Sequence, residues 1–332
     1  MTRPNDTSGL LDFATGFLKS RGITNHEQVH TEELVEDLRA SFGVPPFPRL
    51  TDLRELYRQL GISLGRLPAV SEELLALHGW HEEGEPIVKV RGDLLSKREE
   101  HSLGHEVREV LENAFKRVDA DYLGLETNDN DVMNPRSDHF ASCLLMPAFE
   151  SRELLAHLGY DFVTFARETN RSVSSVVIRA QSLFSAKAGV GPVAGLWLFE
   201  APWELVATHG ATPEDMRMTL SAQLNGFSQA KGRGQAAQVA RDVFPAKKSS
   251  AASQALVREA IDEKGTSGCL LAGFDLFAER DFVVAVEPIF ARGTPWLALM
   301  TAVRLDCRQM VRPWAERVDI WRVAEAVAIA GS

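Results

Sequence analysis

Cysteine is scarce in this chain: Cys143, Cys269 and Cys307 are its only three in 332 residues. They are odd in number and widely spaced. That excludes a disulfide framework and gives no cysteine-based zinc signature. Long apolar runs are missing as well, so no segment reads as a bilayer-spanning helix. The stretch Met1 to Gly9 is polar and lacks the apolar core of a secretory signal. These absences lead to the expectation of a cytoplasmic protein without membrane contact. Excess positive charge is absent too. Lys and Arg number 36 against 46 Asp and Glu, a formal charge of -10. That balance disfavours DNA contact over a broad face, because phosphates select positive surfaces.

What is present is ordinary globular material. Hydrophobic residues make up 45% of the chain and charged residues 25%. The length exceeds one typical core and suits two or three domains. Helical spacing of Leu10, Leu11, Phe13, Phe17 and Leu18, then of Leu34, Leu38 and Phe42, predicts two helices over 8–42. A third runs from Asp52 to Leu60 and is stopped by Gly61. Ile62 to Leu67 and Pro86 to Val90 read as strands, with a polar turn at Gly79 to Gly84.

Ser96 followed by Glu99 is a capping-box pattern, and it opens a helix predicted from about Lys97 to about Lys116. Leu103, Val107, Val110, Leu111 and Ala114 form its apolar stripe. His101, His105 and Glu109 recur every four residues and share another face. Taken by spacing only, they read as a solvated face. Asp119 to Asp138 is acidic and turn-rich, and a helix is predicted over Asp138 to Leu145. Cys143 lies in that apolar run and reads as a core residue.

His105-Glu106-Val107-Arg108-Glu109 differs by one letter from the zincin pattern H-E-x-x-H. In that pattern two histidines one turn apart grip a zinc ion, and the Glu acts as general base on its bound water. Phe140-Ala141-Ser142-Cys143-Leu144-Leu145-Met146-Pro147 matches an F-A-x-x-L-L-M-P block. With Leu53-Arg54-Glu55-Leu56, Leu77-His78-Gly79 and the basic run into His105, residues 50–147 resemble the ImmA/IrrE zinc metallopeptidases. The resemblance implies an α+β fold: a zincin-like domain over 1–148, a helix-turn-helix-like connector over 149–188 and a GAF-like mixed-sheet sensor domain over 189–332. It also implies a protein partner, such as a DNA-binding transcriptional repressor, in a stress or signal response.

Carried over by position, the first ligand falls on His105 and the general base on Glu106. The second ligand falls on Glu109 and the third on Arg136, a permanent cation that cannot bind metal. A Glu109–Arg136 ion pair is therefore expected to stand where the ion would. His101, Asp138 and His139 are substitute ligands, with Asp129 and Asp131 behind them. The expectation is a pseudo-peptidase without a resident cofactor. The alternative is a zinc endopeptidase that cleaves a repressor, with Glu106 as base.

In the rest of the chain, Ala166, Val173, Val177 and Ile178 show helix-turn-helix-like spacing, with Asn170-Arg171-Ser172 as the turn. Arg167, Arg171 and Arg179 are the candidate phosphate contacts. A packed helical pair that merely joins domains is the simpler reading. Residues 230–253 are rich in Gly, Gln, Ala, Lys and Ser and are expected to form a mobile insertion. Strand-like runs at 268–277, 281–290 and 296–305 predict an antiparallel sheet, and Trp314 to Ala330 a closing helix. Phe274, Phe282, Phe290 and Trp296 are sheet aromatics that either line a sensor pocket or form its inner face.

Overall fold

A computed structural model describes residues 8–68, 74–82, 84–125, 130–184, 193–223, 251–265, 267–271 and 282–304. The protein is α+β and divides into two units, Met1–Ser151 and Arg152–Ser332. Among the described residues no helix is long and apolar enough to cross a membrane.

The N-terminal unit begins with helices α1 (Ser8–Arg21), α2 (Thr31–Phe42) and α3 (Leu50–Leu60). Gly61 ends α3 at φ 72, a left-handed position that glycine takes without strain. Strands β1 (Ser63–Leu67), β2 (Ala76–Trp80) and β3 (Pro86–Arg91) follow. They form a small sheet in the order β1-β3-β2, parallel between β1 and β3 and antiparallel between β2 and β3. Helix α4 (Ser96–Val118) packs on this sheet and against α5 (Asn130–Leu145).

Its apolar stripe is buried as the periodicity requires: Leu103, Val107, Val110, Leu111 and Ala114 join one core with Leu10, Leu38, Leu53 and Phe140. Tyr57 Oη donates to the Leu103 carbonyl at 2.8 Å and ties α3 to α4 one turn before the candidate site.

Helix α5 begins at Asn130, not at the expected Asp138. Pro135 lies inside it and removes one backbone donor. Burial of Met133, Ser137 and Phe140 outweighs that loss, so packing overrides the turn-like composition. Helix α6 (Ala148–His157) crosses the division between the units.

The C-terminal unit holds α7 (Phe162–Thr169) and α8 (Val173–Leu183), capped by the side chains of Asp161 and Ser172 and joined by a turn with Asn170 left-handed. Next come β4 (Val193–Glu200), α9 (Trp203–Ala207), β5 (Arg217–Gln223), α10 (Ala251–Asp262), β6 (Ser267–Leu271), β7 (Phe282–Ala291) and β8 (Thr294–Arg304). The strands form one sheet, order β5-β4-β8-β7-β6, antiparallel throughout. Leu196, Trp197, Leu198 and Phe199 are all fully buried, so β4 is covered on both faces. Val257 and Ala260 of α10 pack on Trp197, Phe199, Val284 and Met300. The predicted antiparallel sheet is therefore present. The expected insertion falls almost wholly, and the closing helix entirely, outside the described residues. So do Phe274 and the Phe282 side chain, while Phe290 packs against the core and Trp296 is 37% exposed.

Candidate functional site

Gly104 sets how closely α4 approaches α5. A Cβ there would sit 3.1 Å from both Cα and Cβ of Ala141, tighter than ordinary packing. This close crossing brings His105 beside Asp138. From the sheet side, β2 pairs His78 with Val88 of β3 and aims its ring at the same stretch of α4.

Five side chains meet there. His105 Nδ1 lies 2.9 Å from Asp138 Oδ1, and its Nε2 lies 3.0 Å from Glu109 Oε1. His78 Nδ1 lies 2.9 Å from Glu106 Oε2 and 2.9 Å from Glu109 Oε2. Glu109 thus bridges two imidazoles, and Ser137 Oγ donates to it at 3.4 Å. The Asn113 amide Nδ2 stands 3.2 Å from His78 Nε2. His101 Nε2 reaches Asp138 Oδ1 at 3.2 Å on the exposed rim.

The electrostatics follow from this interleaving. Burial opposes charge on His105, but hydrogen bonds to Asp138 and Glu109 outweigh it and raise the ring to about 10. His78 rises to about 9, again against burial, through Glu106 and Glu109. Burial would lift Glu109, but the two imidazoles pull it down to about 2. Hydrogen bonds from His101 and His105 hold Asp138 well below the usual carboxylate range.

A zinc centre would require a particular spacing of these side chains. Bonds of about 2.0 Å at a tetrahedral angle set neighbouring nitrogen and oxygen donors roughly 3.3 Å apart. The His–carboxylate separations here are 2.9–3.0 Å, the length of charge-assisted hydrogen bonds. Among the described residues, the donors at this site lying mutually within 4.8 Å are those of His78, Glu106 and Glu109. That group omits His105 and would use Glu106 as a ligand instead of a base. The arrangement does not fit the catalytic centre that the resemblance implies, with His105 as ligand and Glu106 as base.

The expected Glu109–Arg136 pair does not form. Glu109 is taken by the two histidines, and Arg136 Nη1 donates to the His26 carbonyl at 3.1 Å. The histidines are nearer and can share both carboxylate oxygens, so they compete better for Glu109. His139 faces Cys143, away from this cluster. Asp129 and the Asp131 side chain lie outside the described residues. Of the candidate phosphate contacts, Arg171 and Arg179 are buried, and only Arg167 stands exposed. Buried guanidinium groups do not present to a phosphate backbone. Sequence reasoning missed His78 as a site residue. The available signal was a lone histidine in a strand flanking α4, and Asn113 continues the four-residue series of His105 and Glu109.

No family model matches the chain, and no curated protein matches it. Among solved structures it is similar to a Mycobacterium tuberculosis transcriptional regulator at 13% identity and a TM-score of 0.49, over 91% of this chain and 83% of that one. A likeness of that size decides neither fold nor function.

Proposed function

We propose that the chain is a regulatory pseudo-peptidase: an ImmA/IrrE-like zincin scaffold that binds a protein partner, such as a transcriptional repressor, without cutting it. The carrying observation is the mutual pairing of the ligand-type side chains. Glu109 is shared by His78 and His105 at hydrogen-bond distances of 2.9 and 3.0 Å. Arg136 at the third ligand position supports this reading, because its guanidinium offers a metal no lone pair and is engaged by a backbone carbonyl. The C-terminal unit, with its five-stranded antiparallel sheet, takes the part of a GAF-like sensor in this proposal. A stress or other signal received there would govern partner binding by the N-terminal unit.

A second reading rests on donor chemistry. His78, His105 and Glu109 together supply two imidazoles and a carboxylate, the set of a catalytic zinc site. Were these side chains to turn onto one ion, Glu106 would be freed as general base of an endopeptidase. Metal content of the full-length protein decides between the two. The pseudo-peptidase reading expects zinc stoichiometry to be the same in wild type, His78→Ala and His105→Ala. One equivalent of zinc lost in both variants overturns it.

A further inference from the structure

The two edges of the N-terminal sheet differ. β2 carries His78 into the site described above, whereas β1 forms the opposite edge and, among the described residues, pairs with β3 alone. The Leu67 carbonyl accepts from the Gly92 amide at 3.2 Å, so Leu67 turns its main chain toward the β3 side. Alternation along a strand gives Ser63 and Gly65 the same direction and turns Leu64 and Arg66 outward. Among the described residues, the outward amides and carbonyls of Leu64 and Arg66 meet no partner. Pro68 follows, and its missing N–H ends this row of donors.

The side chains of the same two residues line a groove. Leu64 lies opposite Val88 and Arg66 opposite Val90, and both valines are buried in the core with α4. All four therefore project to the helix side of the sheet. Between β1, α3 and α4 lies a groove of about 270 Å³, lined by Leu64, Val90 and Leu103 and by Arg54, Arg66 and Glu99. Arg54 reaches Glu99 at 3.0 Å and Arg66 reaches it at 3.1 Å. One largely buried carboxylate thus serves two half-exposed guanidiniums, which leaves one positive charge in excess. In a chain of net charge -10, that excess is a local selection for an anion. A free anion would answer the arginines only. An extended peptide with a carboxylate answers the main-chain groups as well.

We propose that the β1 edge and its groove dock an extended acidic segment of a partner protein by strand addition. The added strand exchanges main-chain hydrogen bonds with Leu64 and Arg66. Its side chains alternate, so two of them spaced i, i+2 fall beside Leu64 and Arg66 on the groove side. An apolar one packs on Leu64, and a carboxylate meets Arg66 and Arg54. The motif read is therefore an apolar and an acidic residue two positions apart. This surface lies on the sheet edge away from His78, and its test is independent of the metal analysis that decides how the His105 cluster is read.

The test uses the full-length protein and a fluorescein-labelled peptide, Thr-Leu-Thr-Glu-Thr-Leu-Thr-Glu, with a copy carrying lysine for glutamate. Fluorescence anisotropy is expected to show saturable binding, at least about tenfold tighter for the glutamate peptide. Arg66→Glu reverses the charge at an exposed side chain and leaves Arg54 to pair with Glu99, and it is expected to weaken binding about tenfold. Leu64→Asp, at a second exposed position, is the companion variant and is expected to weaken binding in the same direction. Amide hydrogen exchange followed by NMR reads the strand directly. The Leu64 and Arg66 amides are expected to slow on binding, while that of Gly65, already turned to β3, stays unchanged. No saturable binding to folded wild type overturns the proposal, as do equal affinities for the two peptides or an affinity indifferent to both variants. Binding without protection of Leu64 and Arg66 also overturns it, since that is the behaviour of a simple anion site. Protection at Leu77 to Trp80 instead would place the peptide on the other edge, beside His78, and overturns it too.

Discussion

Helix α4 carries two ionic networks that differ in burial. At Arg108–Glu112 both partners are almost fully shielded, with side chains 2% and 0% exposed. Glu112 there accepts from Arg108 at 2.8 Å, the Leu125 amide at 2.9 Å and the Tyr122 hydroxyl at 3.3 Å. At His105–Glu109 the corresponding exposures are 19% and 13%, and the chain of contacts runs outward to Asp138 at 59%. The first network is closed and fastens residues 119–125 to the helix. The second is graded from core to water and consists of groups that exchange protons. Similar charges a few residues apart therefore do different work: one set holds the fold, while the other can be rearranged by a ligand or by pH.

The sharpest way to break this contrast is Glu112→Ala. It leaves a buried guanidinium without its carboxylate and is expected to destabilise the N-terminal unit by about 3–5 kcal/mol. Urea unfolding at neutral pH measures this. A loss below about 1 kcal/mol would mean that water reaches Arg108 and that the network is not closed.

Glu109→Gln comes next, at roughly 1–3 kcal/mol, because it removes the charge that two imidazoles share. The pH dependence identifies the network in metal-free protein. His78 and His105 are raised in the folded state, so their contribution is complete below the ordinary histidine value and is lost as pH rises through about 9 and 10. Glu109 is depressed, so its contribution is present above the ordinary carboxylate value and is lost as pH falls toward about 2. The penalty of Glu109→Gln should therefore be largest between roughly pH 4.5 and 6.5 and fade at both extremes. A penalty independent of pH would point to packing as the cause.

How much of this was legible in the sequence depends on the range of the interaction. The stripe Leu103–Val107–Val110–Leu111–Ala114 and the caps at Gly61 and Ser172 are local, and composition and period reveal them. The partners of Glu109 are not local. His78 arrives through strand pairing, and Asp138 through the Gly104–Ala141 crossing, neither of which has a period to read. Arg136 was expected to pair with Glu109. Its contact with the His26 carbonyl joins residues 110 apart in the chain, and no spacing rule predicts that. The start of α5 was missed because burial of Met133 and Ser137 overrode Pro135 and the acidic run before it.

Tyr122→Phe tests the closed network more gently. Its hydroxyl is one of three donors to Glu112, and the phenol is held above its usual value by burial and by the Glu112 charge. The substitution should cost about 1 kcal/mol in urea unfolding. In wild type, phenolate absorbance should show Tyr122 resisting ionisation well past pH 10 alongside the buried Tyr57, and the Phe variant should lose one of these two resistant tyrosines.

The smallest effect belongs to the outer end of the graded network. Asp138 touches both His101 and His105, yet its side chain is 59% exposed, so water and salt screen what it contributes. Asp138→Asn should change stability by less than about 1 kcal/mol, and moderate salt should erase most of that. The same change should lower the titration point of His105, followed by its imidazole proton resonance, because one of its two carboxylate partners is gone. A small stability change with a clear fall in the His105 titration point is the signature of a graded site. A loss as large as that of Glu112→Ala would show Asp138 to be a structural anchor, and the two networks on α4 would then differ in composition but not in role.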